Sequence, residues 1–191
     1  MTPQGMVAIG AVALLFGLVA FIGLSNYNAV IALQQRADKA WANIDVALKQ
    51  RHDMLPNLVA AVRGVMAYEQ NVLTAVTEAR AAYAPADPIP AQAAVSDQTS
   101  AAVRSLFAVV ERYPDLMSGT NVLELLSEIE RIEGIIADRR ELYNDQVYRY
   151  NTKIKTVPTN LLAWIFSWLP RDFFEADPAD TVKPDVELTK A

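Results

Sequence analysis

Few residue patterns in this chain point to acid–base or covalent chemistry. It has one histidine and no cysteine. Without cysteine there are no disulfides, thiolate nucleophiles, iron–sulfur clusters or Cys-ligated zinc. His52 stands beside Asp53, a neighbour able to orient an imidazole as a general base. A solitary histidine in a turn more often caps or faces solvent, and that is the expectation here. A di-iron carboxylate bundle needs Glu-x-x-His on two helices, and one histidine does not supply it. No G-x-S-x-G marks a serine nucleophile. The densest acidic run, Glu124, Glu128, Glu130 and Glu133, has Arg131 and Arg139 beside it. It reads as a solvated helix face with local ion pairs, each contributing only about 0.3–0.5 kcal/mol, rather than as a metal site. No catalytic residue, no metal and no cofactor is expected.

Glu69 and Arg80 carry a sharper expectation. Both fall on the apolar stripe of one helix. A charge facing a core is costly unless paired, and removing one partner of a buried pair costs about 3–5 kcal/mol. Counting along an antiparallel bundle places Glu69 level with Arg36 on the first helix and with Arg139 or Arg140 on the fourth. An inter-helix ion pair with one of these is expected. The alternative is that Glu69 and Arg80 face a groove used by a partner.

The elements that must position these groups are organised around Met6 to Leu24, MVAIGAVALLFGLVAFIGL. This run carries no charge. As a helix rising 1.5 Å per residue it spans roughly 28 Å, close to the hydrocarbon thickness of a bilayer. A cleaved signal peptide would show a basic n-region, a shorter apolar core and a small-x-small cleavage site. Met1 to Gly5 has no Lys or Arg, and Ile22-Gly23-Leu24-Ser25 lacks that site. An uncleaved transmembrane anchor over residues 1–24 is the reading favoured over a signal peptide or a buried core helix. Arg36 and Lys39 follow the apolar end, and no basic residue precedes it. The positive-inside rule then puts the C-terminal domain in the cytoplasm. Ala13 and Gly17 form a small-xxx-small pair, which would let two such helices approach closely; small residues are also common in any span.

Beyond the anchor the pattern is all-α. Glycine is rare after residue 25 (Gly64, Gly119 and Gly134), which disfavours turn-rich β architecture. Val30, Leu33, Ala37, Trp41, Ile44 and Leu48 recur at threes and fours, one stripe of a helix continuing out of the anchor. Asp53 looks like an N-cap with Pro56 in the next first turn, so a break near His52 is predicted. A second helix then runs from about Met54 to Tyr83. Pro85, Pro88 and Pro90 make 83–98 a loop. Ser96 or Asp97 would cap a third helix ending before Pro114, and Ser118 to Asn121 would form a turn. The fourth helix covers about Val122 to Lys155, with Ile129, Ile132, Ile136, Tyr143, Val147, Tyr150 and Ile154 inward. Tyr143, Asn144, Tyr150 and Asn151 repeat at seven; the tyrosines suit a core and the asparagines a helix cross-link or a contact surface. The predicted fold is an N-terminal transmembrane helix continuing into an antiparallel four-helix bundle over 25–175, with a disordered tail over 176–191.

Thr159 to Leu169, TNLLAWIFSWL, is short and very apolar. The fourth helix returns toward the membrane, so Trp164 and Trp168 would meet the interface, where tryptophan is favoured. The competing reading has Leu161, Leu162, Ile165 and Phe166 closing the end of the bundle core.

Several motifs occur together: Tyr27-Asn28; Ala40-Trp41-x-x-Ile44-Asp45-x-x-Leu48-x-x-Arg51-x-Asp53-x-x-Pro56-Asn57-Leu58-Val59; Tyr68-Glu69; Ala79-Arg80; Tyr113-Pro114-Asp115-Leu116; Tyr143-Asn144-x-x-Val147-x-x-Tyr150-Asn151; and Pro158-Thr159-Asn160. In order and spacing the chain closely resembles the LemA family of bacterial membrane proteins, over about Tyr27 to Glu175. His52 stands where the family often has Tyr, and Gly64-Val65-Met66-Ala67 replaces a more usual Gly-Tyr-Ala. The resemblance implies one N-terminal transmembrane helix, an antiparallel helical domain and no established enzymatic activity. It also implies neighbourhood with membrane zinc proteases and small envelope proteins, and relatives that act in magnetosome membrane formation.

The net charge of −5 argues against nucleic acid as a partner, since no basic stripe neutralises phosphates. Membrane lipid is the expected partner, with a homo-oligomer or another membrane protein. The expected function is a non-enzymatic, single-pass scaffold or assembly module at the bacterial inner membrane. The alternative is an adaptor that binds and modulates another membrane protein such as a protease.

Overall fold

The computed structural model describes residues 3–63, 69–113 and 120–175. Among these the chain is helical, with no strand. The helices are α1 (Pro3–Arg63), α2 (Gln70–Ala81), α3 (Ile89–Val110), α4 (Thr120–Lys155) and α5 (Thr159–Phe166). The expected tail over 176–191, the stop at Pro114 and the unusual Gly64 to Ala67 corner all lie outside the described residues.

The chain divides into two compact units. Unit 1 is Met1–Trp41 with Asn144–Arg171. Unit 2 is Ala42–Tyr143 with Asp172–Ala191.

Unit 2 contains a four-helix core. Leu55, Leu58 and Val62 of α1 pack in one cluster with Leu73 and Val76 of α2, Val103 and Leu106 of α3, and Ile129 of α4. Each helix contributes side chains spaced by three and four, the period that keeps them on one face. The break predicted near His52 does not occur. α1 runs through Pro56 without interruption. An interior proline costs about 3 kcal/mol, because it lacks an N–H and crowds the carbonyl four residues back. Leu55, Leu58, Val59 and Val62 are all buried around it, and that packing holds the helix through the fault. The second helix is correspondingly shorter than expected, and Glu69 is its N-cap residue.

The loop between α2 and α3 is also shorter than predicted. α3 starts at Ile89, with Pro90 in its first turn, where a missing N–H costs nothing. Buried Gln92 ties the loop down: its Nε2 donates to the carbonyls of Pro85 at 3.1 Å and Asp87 at 2.8 Å. α4 agrees with its expected span.

Unit 1 has a smaller core of Val30, Tyr150 and Ile154, with Leu33, Ala163 and Trp168 packed against it. The apolar run that opens its N-terminal helix is bare. Met6, Ile9, Val12, Leu14, Leu15, Phe16, Leu18, Val19, Phe21, Ile22 and Leu24 are all exposed. This is the one helix among the described residues long and apolar enough to cross a membrane.

Candidate membrane-contact site

The apolar run of α1 ends at Leu24, and a polar knot follows within two residues. The Asn26 side chain uses both ends of its amide. Its Nδ2 donates to the Ile22 carbonyl at 2.8 Å. Its Oδ1 accepts from Lys153 Nζ at 2.8 Å and from Thr159 Oγ1 at 3.0 Å. Thr159 is fully buried and is the first residue of α5. The start of α5 is thus fastened to the end of the apolar run.

One residue on, Tyr27 anchors an aromatic cluster. Its ring meets Phe166 edge-on at 5.0 Å and Trp168 at 5.6 Å, and those two rings stack at 5.4 Å. Aromatic pairs prefer these offset and edge arrangements. α5 closes on Ser167 in the left-handed region, φ 53°, and the chain turns back along α4. The Tyr150 hydroxyl donates to the Leu169 carbonyl at 3.0 Å and accepts from Gln34 Nε2 at 3.3 Å. Asn151 pairs with the Arg171 backbone twice, donating to its carbonyl and accepting from its N–H, both at 2.9 Å. The Arg171 guanidinium lies over the Tyr150 ring at 5.6 Å and bonds Asp38 at 2.5 Å. Tyr150 and Asn151 are therefore fasteners within unit 1. In unit 2, the Tyr143 hydroxyl donates to the Asp172 carbonyl at 2.9 Å.

The two faces of α5 differ in what they touch. Thr159, Leu162 and Ala163 turn inward. Leu161, Trp164 and Ile165, also spaced by three and one, are exposed, and Trp164 is 84% accessible. Leu169 and Val157 are exposed beside them. The two tryptophans named from sequence therefore part company: Trp168 is half-buried against the core, and Trp164 is bare.

A family model described as the LemA family matches residues 40–188. The chain belongs to the LemA family. It is 25% identical to Magnetosome protein MamQ 2 of Paramagnetospirillum magneticum, covering 85% of this chain and 70% of that protein. Magnetosome protein MamQ of Magnetospirillum gryphiswaldense gives the same identity and the same coverage. Protein LemA of Metamycoplasma hominis is 25% identical, over 90% of this chain and 79% of its own length. The family match takes in α5 and all of α4, and begins after the apolar run.

In this LemA-family chain the charged residues sort differently from expectation. Glu69 sits 3.5 Å from Arg112 rather than bonding Arg36, Arg139 or Arg140. Counting along an unbroken second helix misplaced it; as the N-cap residue of α2 it comes level with the end of α3. Arg139 donates to the Asn43 carbonyl at 2.6 Å, and Arg140 pairs with Asp97 at 2.6 Å and covers the Phe174 ring. Arg36 is exposed.

Arg51 of unit 2 is buried and pairs with Glu133. Arg51 is 3% exposed. Its Nη1 donates to Glu133 Oε1 at 2.8 Å and Ser100 Oγ at 2.9 Å, its Nη2 to Ser96 Oγ at 3.0 Å. Ser100 donates in turn to Glu133 Oε2 at 2.5 Å. α1, α3 and α4 are joined by this one guanidinium. The acidic run is therefore not one solvated face. Glu128 does face solvent, and the hydrogen bond from Arg131 holds its carboxyl below the usual range. Glu133 turns inward. Arg51 was legible as a candidate, since Ile44, Leu48, Arg51, Leu55 and Leu58 follow one stripe.

His52 is in α1, and its ring meets that of Tyr83 at 4.9 Å, tilted by 37°. It lines a cavity with Arg51, Arg80, Tyr83 and Gln92 that has a volume of only about 10 Å³, room for one water and nothing larger. Among the described residues, His52 Nδ1, Arg80 Nε and Gln92 Oε1 have no protein hydrogen-bond partner. Arg80 lines this cavity.

Proposed function

We propose that this LemA-family protein is a non-enzymatic, single-pass protein of the bacterial inner membrane, with its helical domain in the cytoplasm acting as a scaffold or assembly module. The observation that carries the reading is α1. Its first turns present an apolar surface with no internal cover, and residues 42–63 of the same helix supply core to unit 2. No element separates what lipid would hold from what folds. The flanking Arg36 and Lys39 favour the cytoplasmic orientation, and kinship with proteins named for the magnetosome is in keeping with work on a membrane.

The absence of cysteine makes topology directly measurable. Glu130 is exposed on α4, so Glu130→Cys installs a single thiol. A membrane-impermeant maleimide should label it only after the inner membrane is opened; labelling of intact spheroplasts would overturn the orientation. Size measurement in mild detergent tests the scaffold. A large homogeneous self-assembly supports it, whereas a monomer that carries along one other membrane protein points to the adaptor reading.

A further inference from the structure

The geometry points to α5 as a second foothold in the bilayer, with Leu161, Trp164, Ile165 and Leu169 seated at the boundary between lipid headgroups and acyl chains. The inference rests on the membrane-anchored reading of α1 and names what its neighbour touches.

A solvent-facing helix normally shows polar residues on its outer side. α5 does not: its outer face is Leu161, Trp164 and Ile165, continued by Leu169. A contiguous bare apolar patch of this kind marks an interaction surface. What identifies the occupant is position. Thr159 at the head of α5 bonds Asn26, which also bonds the carbonyl of Ile22 inside the apolar run. Asn26 is two residues past Leu24, about 3 Å along a helix axis. The headgroup layer on each side of a bilayer is about 5–8 Å deep. The knot that holds α5 therefore falls within that layer whenever the apolar run lies in the hydrocarbon.

The chemistry of the patch agrees with its level. Tryptophan and tyrosine favour the headgroup depth, where an apolar ring and a polar N–H or O–H are both accommodated. Tyr27 and Trp168 meet there, and Trp164 stands bare on α5. Lys155 is exposed at the end of α4 just before α5, and a lysine stem reaches along apolar surface while its ammonium remains at the phosphates. A second copy of this chain or a protein partner would not require the patch to start level with the end of the apolar run. A bilayer does.

The test uses the full chain in phosphatidylcholine liposomes with bromine on the acyl chains. Trp41→Phe and Trp168→Phe together leave Trp164 as the sole indole. Its emission should be blue-shifted and should lose most of its intensity to the brominated lipid. Because Trp168→Phe removes a core indole, the converse variant is run beside it: Trp164→Phe alone should remove most of the quenched component and leave helicity unchanged. Emission at the aqueous wavelength, quenched by acrylamide and indifferent to bromine, would overturn the foothold. So would efficient copy-to-copy photocrosslinking from position 161 with no lipid quenching. Resistance to carbonate extraction, measured on the same liposomes, separates the failures. Resistant protein with an unquenched Trp164 refutes the foothold alone, and extractable protein refutes the anchor beneath it.

Discussion

Unit 1 and unit 2 are built from the same kind of amphipathic helix and use it in opposite ways. In unit 2 most of the described large apolar side chains are inside, and Arg51 is inside with them, paired with Glu133. In unit 1 the large apolar side chains of the N-terminal run and of α5 are outside. Its polar groups, Asn26, Tyr150, Asn151 and Thr159, are spent fastening one backbone segment to another. A fold assembled for water hides apolar surface and satisfies the few polar groups it buries. A fold assembled beside lipid gains nothing by hiding apolar surface, and must tie its segments together by other means.

The largest expected effect is in the Arg51 network. Arg51→Met leaves Glu133 without its partner and two serines without their donor. Stability should fall by about 3 kcal/mol, the low end for a buried pair because Glu133 keeps some solvent. Adding Glu133→Leu should recover much of that loss. Urea unfolding in detergent reads both; a double variant no better than the single one would show the charge to be incidental. A matched pair of leucines sharpens the contrast further. Leu106→Ala should cost about 2–5 kcal/mol through the cavity it opens. Leu161→Ala removes the same atoms yet should shift detergent stability by less than about 0.5 kcal/mol, and should lower lipid quenching of Trp164 instead. Equal losses at both positions would erase the distinction between the units.

The smallest effect concerns Tyr83. Burial first, then the charge of Asp45 and the 3.4 Å hydrogen bond to it, push the phenol above its ordinary value of 10.0. The fold thus favours the neutral ring. The associated stability is complete below the ordinary value and is lost as pH rises through the raised one. Asp45→Asn should bring the Tyr83 step of an ultraviolet titration to lower pH. An unchanged profile would remove Asp45 as a cause.

Much of the fold was legible from sequence because periodicity reports which face is covered. α4 followed its threes and fours, and the apolar run announced itself. The misreadings have a common origin in proline and in register. Pro56 looked like a first turn because its local cost is real, but the cost is outweighed by Leu55, Leu58 and Val62 packing on other helices. Pro90 looked like loop although it is compatible with a first turn, and the deciding group, Gln92 clamping Pro85 and Asp87, is a tertiary choice that spacing does not reveal. Glu69 drew the wrong partners because an error at the second helix carried through every count made along it. On α5 the composition disclosed an apolar segment, but only the folded chain separates Trp168, which packs, from Trp164, which does not.

Asn151 holds Arg171 by main-chain atoms alone. Every amino acid except proline offers the same N–H and C=O. The latch is therefore blind to the identity of the residue it grips and strict about its own: aspartate lacks the donor, and leucine lacks both functions. Any constraint on the residue type at 171 therefore comes from its guanidinium contacts with Asp38 and Tyr150, and none from the latch.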